Sequence, residues 1–394
     1  MPEDVFIEIE AQQVSHAGER ICGDVFRKKK ISEEARVIAV LSDGMGHGVK
    51  ANMLATLTAT MAMNFTIEHR NPETIAEIIM NTLPVCSKRK LSYATFSIID
   101  VEINGKAHIL EYDNPEAVIF RNEQLLPVKW QEIIMSSEKH KGKKLRYYTF
   151  TPKLGDRIFI FSDGITQSGM GSERYPFGWG NKNLRNFIAN TVHNEPDISA
   201  EKMAEKIVNK AVQHDAYKSK DDTSCASVYF RKPRKLLIIT GPPTDPAKDA
   251  EVAKKAESYN GKKIVCGGST IDIMARELNI EVTDSLDIID SDLPPLSYMK
   301  GFDLATEGIL TLNKTGKILE TLTKNDKLGK GPADLLVKHL LESDKIDFIV
   351  GTKINEAHQD PNVPVDLDIR RTAVKRITGI LREKYLKEVD VQFV

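Results

Sequence analysis

Along residues 1–230 the apolar side chains collect in short runs of β-branched and aromatic residues, most of them closed by Asp, Gly or Asn. These runs are Val5–Glu10, Arg36–Ser42, Leu91–Val101, Ala107–Tyr112, Ala117–Arg121, Arg157–Ser162 and Cys225–Phe230. Length and punctuation of this kind predict strands. Three stretches carry helical signals instead: Val49–His69, Glu73 to about Cys86 behind the Asn71-Pro72 turn, and Ala200–His214 behind the cap-like Asp197-Ile198-Ser199. Strands in succession with helices inserted as blocks predict an α+β fold, with mainly antiparallel sheets in a β-sandwich covered by helices.

The pattern changes after Arg231-Lys232-Pro233-Arg234-Lys235, where charge surrounds a strand-hostile proline. A solvated linker explains this run better than a nucleic-acid patch, so the expected domains are residues 1–232 and 233–394. Beyond it, Leu236–Thr240 is a continuous apolar strand, followed by Gly-Pro-Pro and a helical stretch from Pro246 to Ser258. A second strand, Lys263–Cys266, then leads through the turn Gly267-Gly268-Ser269-Thr270 into a helix ending at Leu278. Strand, helix, strand, helix with unalternated apolar strands predicts a smaller α/β domain on a parallel sheet. The basic stretch Arg370–Lys387 reads as an amphipathic C-terminal helix with one solvated face.

A chain of 394 residues suits two domains, each able to bury its own core. Lys and Arg total 55 against 56 for Asp and Glu, a balance that supplies no electrostatic drive toward nucleic acid or an anionic membrane. The N-terminus, MPEDVFIEIE, is acidic and alternating and reads as a strand rather than a secretory signal. Asn52–Phe65, the longest weakly polar run, falls short of the ~20 apolar residues of a membrane span. Cys22, Cys86, Cys225 and Cys266 contain no CxxC pair, which argues against a zinc site or disulfide framework and fits a reducing cytoplasm.

The candidate chemistry is acidic. Gly23-Asp24-Val25-Phe26, Ser42-Asp43-Gly44-Met45-Gly46-His47-Gly48, Phe161-Ser162-Asp163-Gly164 and Asp221-Asp222-Thr223-Ser224 each place an aspartate at the end of a β-rich run. Any one Asp-Gly is most simply a turn after a strand. Four together point to a shared site, because a rigid sheet can aim distant segments at one place. Magnesium and manganese prefer such oxygen donors, with several positions left to water. Two such cations lower the pKa of a water and neutralise phosphate oxygens during in-line attack.

In this order the motifs resemble the metal-dependent protein phosphatases, the protein phosphatase 2C superfamily. The likeness is to the bacterial branch typified by the sporulation stage II E phosphatase and the stress-response phosphatases that regulate anti-sigma factors. Ala94-Thr95-Phe96, Tyr112-Asp113-Asn114-Pro115 and Leu154-Gly155-Asp156 agree with it, and the likeness covers about residues 5–230. It implies two divalent cations, Mn2+ or Mg2+, contacted by Asp24 and Asp43, with the Gly44 carbonyl completing one shell. Asp163 and Asp221 would hold the other cation, and Asp222 competes with Asp221 for that role. Animal members carry a histidine directly after the first Asp-Gly; Met45 stands there, which leaves His47 as candidate proton donor or as a helix-entry residue. Asp156 reads as structural. Gly48–Phe65 resembles the helix with which family members switch the site, its Met53, Met61 and Met63 being simplest as core filling.

Other catalytic plans fit poorly, since Cys86 has no arginine six positions on and no Gly-x-Ser-x-Gly elbow is present. The expectation is a protein phosphatase that hydrolyses phosphoserine or phosphothreonine on a signalling partner, by the resemblance a small anti-sigma antagonist-like protein. Two rivals are a catalytically silent phosphatase fold that only binds its partner, and a metabolite sensor whose C-terminal domain controls the phosphatase. For that domain, Gly267, Gly268, Ser269 and Thr270 form a candidate ligand loop. Thr240–Pro243, Gly351-Thr352-Lys353 and Thr306-Glu307-Gly308 are further possible linings.

Overall fold

The computed structural model describes residues 5–68, 71–82, 94–102, 105–121, 123–135, 140–285, 290–323, 326–353, 366–385 and 387–394. The chain divides into two compact units, Met1–Lys232 and Pro233–Val394.

In the first unit the strands are β1 (Phe6–Val14), β2 (Val25–Ile31), β3 (Arg36–Gly44), β4 (Ala94–Glu102), β5 (Ala107–Tyr112), β6 (Val118–Arg121), β7 (Gln124–Leu125), β8 (Gln131–Ile134), β9 (Lys144–Phe150), β10 (Arg157–Phe161) and β11 (Thr223–Arg231). The helices are α1 (Gly48–Glu68), α2 (Pro72–Thr82), α3 (Asp163–Gln167), α4 (Gly180–Asn194) and α5 (Ala200–His214). Two antiparallel sheets form, ordered β1-β11-β10-β6-β7 and β2-β3-β4-β5-β9-β8. This is the α+β sandwich the strand pattern predicts. The first residues of the expected Leu91–Val101 strand, and Cys86 with the end of the expected second helix, lie outside the described residues.

Pleating explains why the central strands read as unbroken apolar runs. Val37, Ala39 and Leu41 of β3 pack with Ile158, Ile160, Ala226 and Val228 between the sheets, while Ile38 and Val40 turn outward onto Ala59, Ala62, Ile75 and Ile79 of α1 and α2. Phe159 and Phe161 of β10 point the other way, onto Leu184, Ile188, Met203 and Ile207 of α4 and α5. A strand covered on both faces loses its polar alternation. Each side chain of this size taken fully out of water contributes roughly 1.5–3 kcal/mol, so both helical layers are locked to the sandwich. Met63 belongs to this core, but Met53 is 66% exposed beside Val49 and Leu57, so core filling does not explain it.

The second unit holds β12 (Lys235–Thr240), α6 (Asp249–Ser258), β13 (Lys262–Cys266), α7 (Gly268–Leu278), β14 (Val282–Asp284), β15 (Ser297–Met299), β16 (Leu304–Thr306), α8 (Ile309–Thr321), α9 (Pro332–Glu342), β17 (Lys345–Val350), α10 (Asp366–Glu383) and β18 (Glu388–Phe393). Its sheet is ordered β14-β15-β16-β13-β12-β17-β18, parallel from β16 to β18 and antiparallel at the β14-β15 edge. Helices α6 and α7 cover one face; α8, α9 and α10 cover the other. The last helix begins before Arg370 and stops at Glu383, and the residues after it form a strand, because Val389 and Val391 pair with β17 and pack on the core. Among the described residues no helix is long and apolar enough to cross a membrane.

Candidate active site

Antiparallel pairing brings the four aspartates to one end of the sandwich. Val25, at the start of β2, pairs with Ser42 at the end of β3, so Asp24 and Asp43 leave neighbouring strands side by side. In the other sheet Phe161 pairs with Cys225, and the backbone continues as Ser162 N donating to Ser224 O at 3.0 Å, which sets Asp163 beside Asp221 and Asp222. Glycine allows the close approach. A side chain on Gly44 would start 2.1 Å from the Ala51 carbonyl of α1, and one on Gly164 would start 2.2 Å from the Asp222 carbonyl. The Asp-Gly pairs therefore fix how near the turns come to their neighbours, not only how sharply the chain bends.

The electrostatics show that the carboxylates share one space. Asp24 is 2% exposed and both its oxygens are buried without a hydrogen-bond partner. Burial is the main reason its pKa is pushed up to about 7, with repulsion from Asp222 and Asp163 adding to it. The hydroxyls of Ser224 and Ser162 temper that rise, though neither makes a well-formed hydrogen bond to the carboxylate. Asp43 is raised well above the carboxylate range by burial, then by repulsion from Asp24, Asp163 and Asp221. Burial also raises Asp163, and burial followed by repulsion from Asp163 lifts Asp221 to about 6. No cationic side chain forms an ion pair with any of these acids among the described residues. Like charges gathered without counter-charge are costly, and a cation is the partner that relieves the cost.

Asp221 and Asp222 are separated by their surroundings. Asp222 Oδ1 accepts from the His16 amide at 3.0 Å, and its other oxygen is buried against Gly23. Asp221 is half-buried and lies near enough to act on Asp43 and Asp163. No three acidic, histidine or cysteine side chains among the described residues form a ready-made metal-ligand group.

Several supporting residues carried no recognisable signal in the sequence. Gln167 Nε2 donates to Asp163 Oδ2 at 2.8 Å from the next turn of α3. Gln13 Nε2 donates to the Asp24 carbonyl and to Ser224 Oγ, each at 3.1 Å, bridging the two sheets behind the acids. Asn52 Nδ2 donates to the Cys22 carbonyl at 2.8 Å, pinning the Asp24 segment to α1. His47 is largely exposed; its Nδ1 bonds Glu19 Oε1 at 2.8 Å and its ring stacks on His16 with centroids 4.4 Å apart. That places it at the entry of α1. Asp156 is fully buried, held by Arg121 at 2.7 and 2.9 Å and by the Lys153 amide at 2.8 Å, which fixes the turn before β10.

In the second unit, Gly267 follows β13, while Gly268, Ser269 and Thr270 form the first turn of α7 rather than a free loop. Thr306 ends β16, and Glu307 and Gly308 lead from it into α8. Gly351 follows β17 at the same C-terminal edge of the parallel sheet, where a side chain would start 2.1 Å from the Pro242 carbonyl and 2.2 Å from that of Gly241.

Comparison with known proteins places the first unit. The sequence profile of Stage II sporulation protein E (SpoIIE) matches residues 33–231, just over half of the chain, and starts after Asp24. Among solved structures, the phosphatase domain of the cell fate determinant SpoIIE from Bacillus subtilis is 14% identical over 58% of this chain and 94% of its own, with a TM-score of 0.45. The PP2C phosphatase domain of the same protein with a fragment of its regulatory domain is 16% identical, covering 58% of this chain and 64% of its own at a TM-score of 0.48. RsbX in complex with magnesium is 20% identical over 57% and 95%, at a TM-score of 0.40. No curated protein matches the chain. With the profile spanning the strands that carry Asp43, Asp163 and Asp221, the chain belongs to the Stage II sporulation protein E (SpoIIE) family, protein serine/threonine phosphatases with a PP2C-like fold.

Proposed function

We propose that this phosphatase hydrolyses phosphoserine or phosphothreonine on a partner protein, with two divalent cations, Mn2+ or Mg2+, held at the acidic end of the sandwich. Asp24, Asp43, the Gly44 carbonyl, Asp163 and Asp221 are the residues assigned to them. The observation that carries this reading is the convergence of buried and half-buried carboxylates with no positive partner among the described residues, above all Asp24 with both oxygens orphaned. Bound there, the cations supply charge to neutralise phosphate oxygens and to acidify a water.

The chain's own residues do the positioning. Gln167 holds Asp163 in one rotamer, Gln13 ties the Asp24 segment to β11, and the pairing of Asp43 with Thr95 sets its carboxylate at the rim of a buried strand. Asp222, engaged by the His16 amide, leaves Asp221 as the ligand. Glu19 accepts from His47 Nδ1, which leaves Nε2 of that exposed imidazole to exchange protons with solvent or a leaving group. The substrate assigned is a phosphorylated signalling protein of the anti-sigma antagonist type.

The test is hydrolysis of p-nitrophenyl phosphate and of phosphoserine peptides by the full chain, with Mn2+ titrated by calorimetry in parallel. Expected are cation-dependent turnover, its loss on chelation, and a fall of at least about a hundredfold for Asp43→Asn together with weakened Mn2+ binding. Turnover that survives chelation, or Mn2+ binding unchanged by Asp43→Asn, overturns the assignment. A protein that binds Mn2+ and its partner but turns nothing over is the silent signalling fold instead.

A further inference from the structure

We infer that the second unit carries a phosphate-binding site between the N-termini of α7 and α8, at the C-terminal edge of its parallel sheet. Strands β13 and β16 are parallel neighbours, Cys266 pairing with Thr306, so the helices that follow them begin side by side. Each helix starts with the same four-residue pattern: Gly267-Gly268-Ser269-Thr270 and Gly308-Ile309-Leu310-Thr311. Glycine at both N-cap positions offers no capping side chain of its own, where Ser, Thr, Asp or Asn would ordinarily satisfy an amide.

The two glycines are required by what they touch. Gly267 has φ +122°, a conformation that strains other residues, and a side chain on Gly308 would start 3.2 Å from the Gly267 Cα. Two positive helix ends thus meet with their N-cap backbones in contact. Among the described residues the amides of Gly268, Ser269 and Ile309 donate to no acceptor, while Leu310 N is taken by Glu307 Oε2 at 3.1 Å. The independent sign of a ligand lies in the hydroxyls. Thr270 is 1% exposed and Thr311 fully buried, and neither hydroxyl has a hydrogen-bond partner. Thr270 Oγ1 lies 3.2 Å from where a side chain on Gly267 would begin, turned toward the junction. Buried hydroxyls are seldom left unpaired, and an oxyanion seated at the junction supplies the acceptor for Thr270.

Phosphate fits better than carboxylate, because donors converging from two helices suit a tetrahedral anion. The ligand class is therefore a small phosphorylated molecule that offers one phosphate or pyrophosphate group.

Isothermal titration of the full chain with inorganic phosphate and pyrophosphate, in EDTA to silence the acidic site of the first unit, tests this. Saturable binding is expected, weakened about tenfold or more by Thr270→Val, which keeps the side chain's shape and removes its donor. Glu307→Gln removes a competing carboxylate from the same helix end, so it is expected to tighten binding severalfold. This surface variant carries the test if Thr270→Val fails to fold. Asp43→Asn is expected to leave phosphate binding unchanged. Absence of saturable binding overturns the site, as do affinities that ignore both variants or fall with Asp43→Asn. Succinate binding as tightly as phosphate overturns the ligand class.

Discussion

Without divalent cations, Asp24 is a burden on the fold. Its carboxyl titrates near 7 in the folded protein against an ordinary value of 3.8. Since 1.36 kcal/mol corresponds to one pKa unit, keeping it ionised in the folded state costs about 4 kcal/mol, or nearer 2 if neighbouring acids relax when it is removed. The sign follows from proton binding. Below about pH 4 folded and unfolded chains are both protonated at this position and no penalty exists. As pH rises from there toward 7 the unfolded chain releases its proton while the folded one keeps it, so stability falls with pH, and above 7 the loss is complete. Asp24→Asn removes that loss. In EDTA at pH 8 the variant should unfold roughly 5–15 °C above wild type in the transition of the first unit, and the gain should vanish near pH 4. Added Mn2+ should close the gap and, at or above about a thousand times its Kd, where wild type gains ~4.1 kcal/mol, bring wild type level with or above the variant, which lacks the ligand. Differential scanning calorimetry at pH 4 and 8, with EDTA or Mn2+, reads all four states. Equal or lower stability of Asp24→Asn in EDTA at pH 8 would refute the reasoning, since the carboxylate would then not be electrostatically unpaired.

Three further outcomes follow from the same geometry. Gly44→Ala drives a methyl to 2.1 Å from the Ala51 carbonyl, so α1 must shift at a cost of about 3 kcal/mol, visible as a lower denaturant midpoint together with lost activity. Arg36 is buried and grips Asp100 at 2.6 and 2.7 Å and the Thr66 carbonyl at 2.6 Å; Arg36→Met strands a buried carboxylate and should cost about 3–5 kcal/mol in urea unfolding. Gln167→Ala removes the donor that holds Asp163, so Mn2+ affinity should drop about tenfold by calorimetry while stability changes by less than about 0.5 kcal/mol.

Some elements were legible because local chemistry wrote them. Ala107–Tyr112 and Ala200–His214 have the bounds the pattern predicts. The first is a short apolar run closed by Asp-Asn, and the second is opened by Ser199, whose hydroxyl accepts from the Lys202 amide. Others were hidden by composition. Val25–Ile31 reads VFRKKKI, with its three central basic residues exposed, so β2 shows no apolar alternation and owes its place to pairing with β3. Lys144–Phe150 is similarly mixed and is a strand because Tyr147 and Tyr148 pair with β5. In α4 only Leu184, Ile188 and Val192 are buried, a one-sided spacing of four that a window of polar neighbours obscures.

The sequence by itself determined the class of fold and the acids on which the proposed chemistry rests. Strand periodicity and Asp-Gly punctuation are local properties, dictated by pleating and by steric limits on the backbone. Only the tertiary structure decided which of those acids are neighbours, because proximity here comes from pairings such as Val25 with Ser42 and Phe161 with Cys225, which join residues far apart in the chain. It alone distinguishes Asp222, taken by the His16 amide, from Asp221, and it alone sets two glycine-capped helices side by side in the second unit. Registers of this kind are settled by the packing of whole sheets, a sum over many side chains that no short stretch of sequence contains.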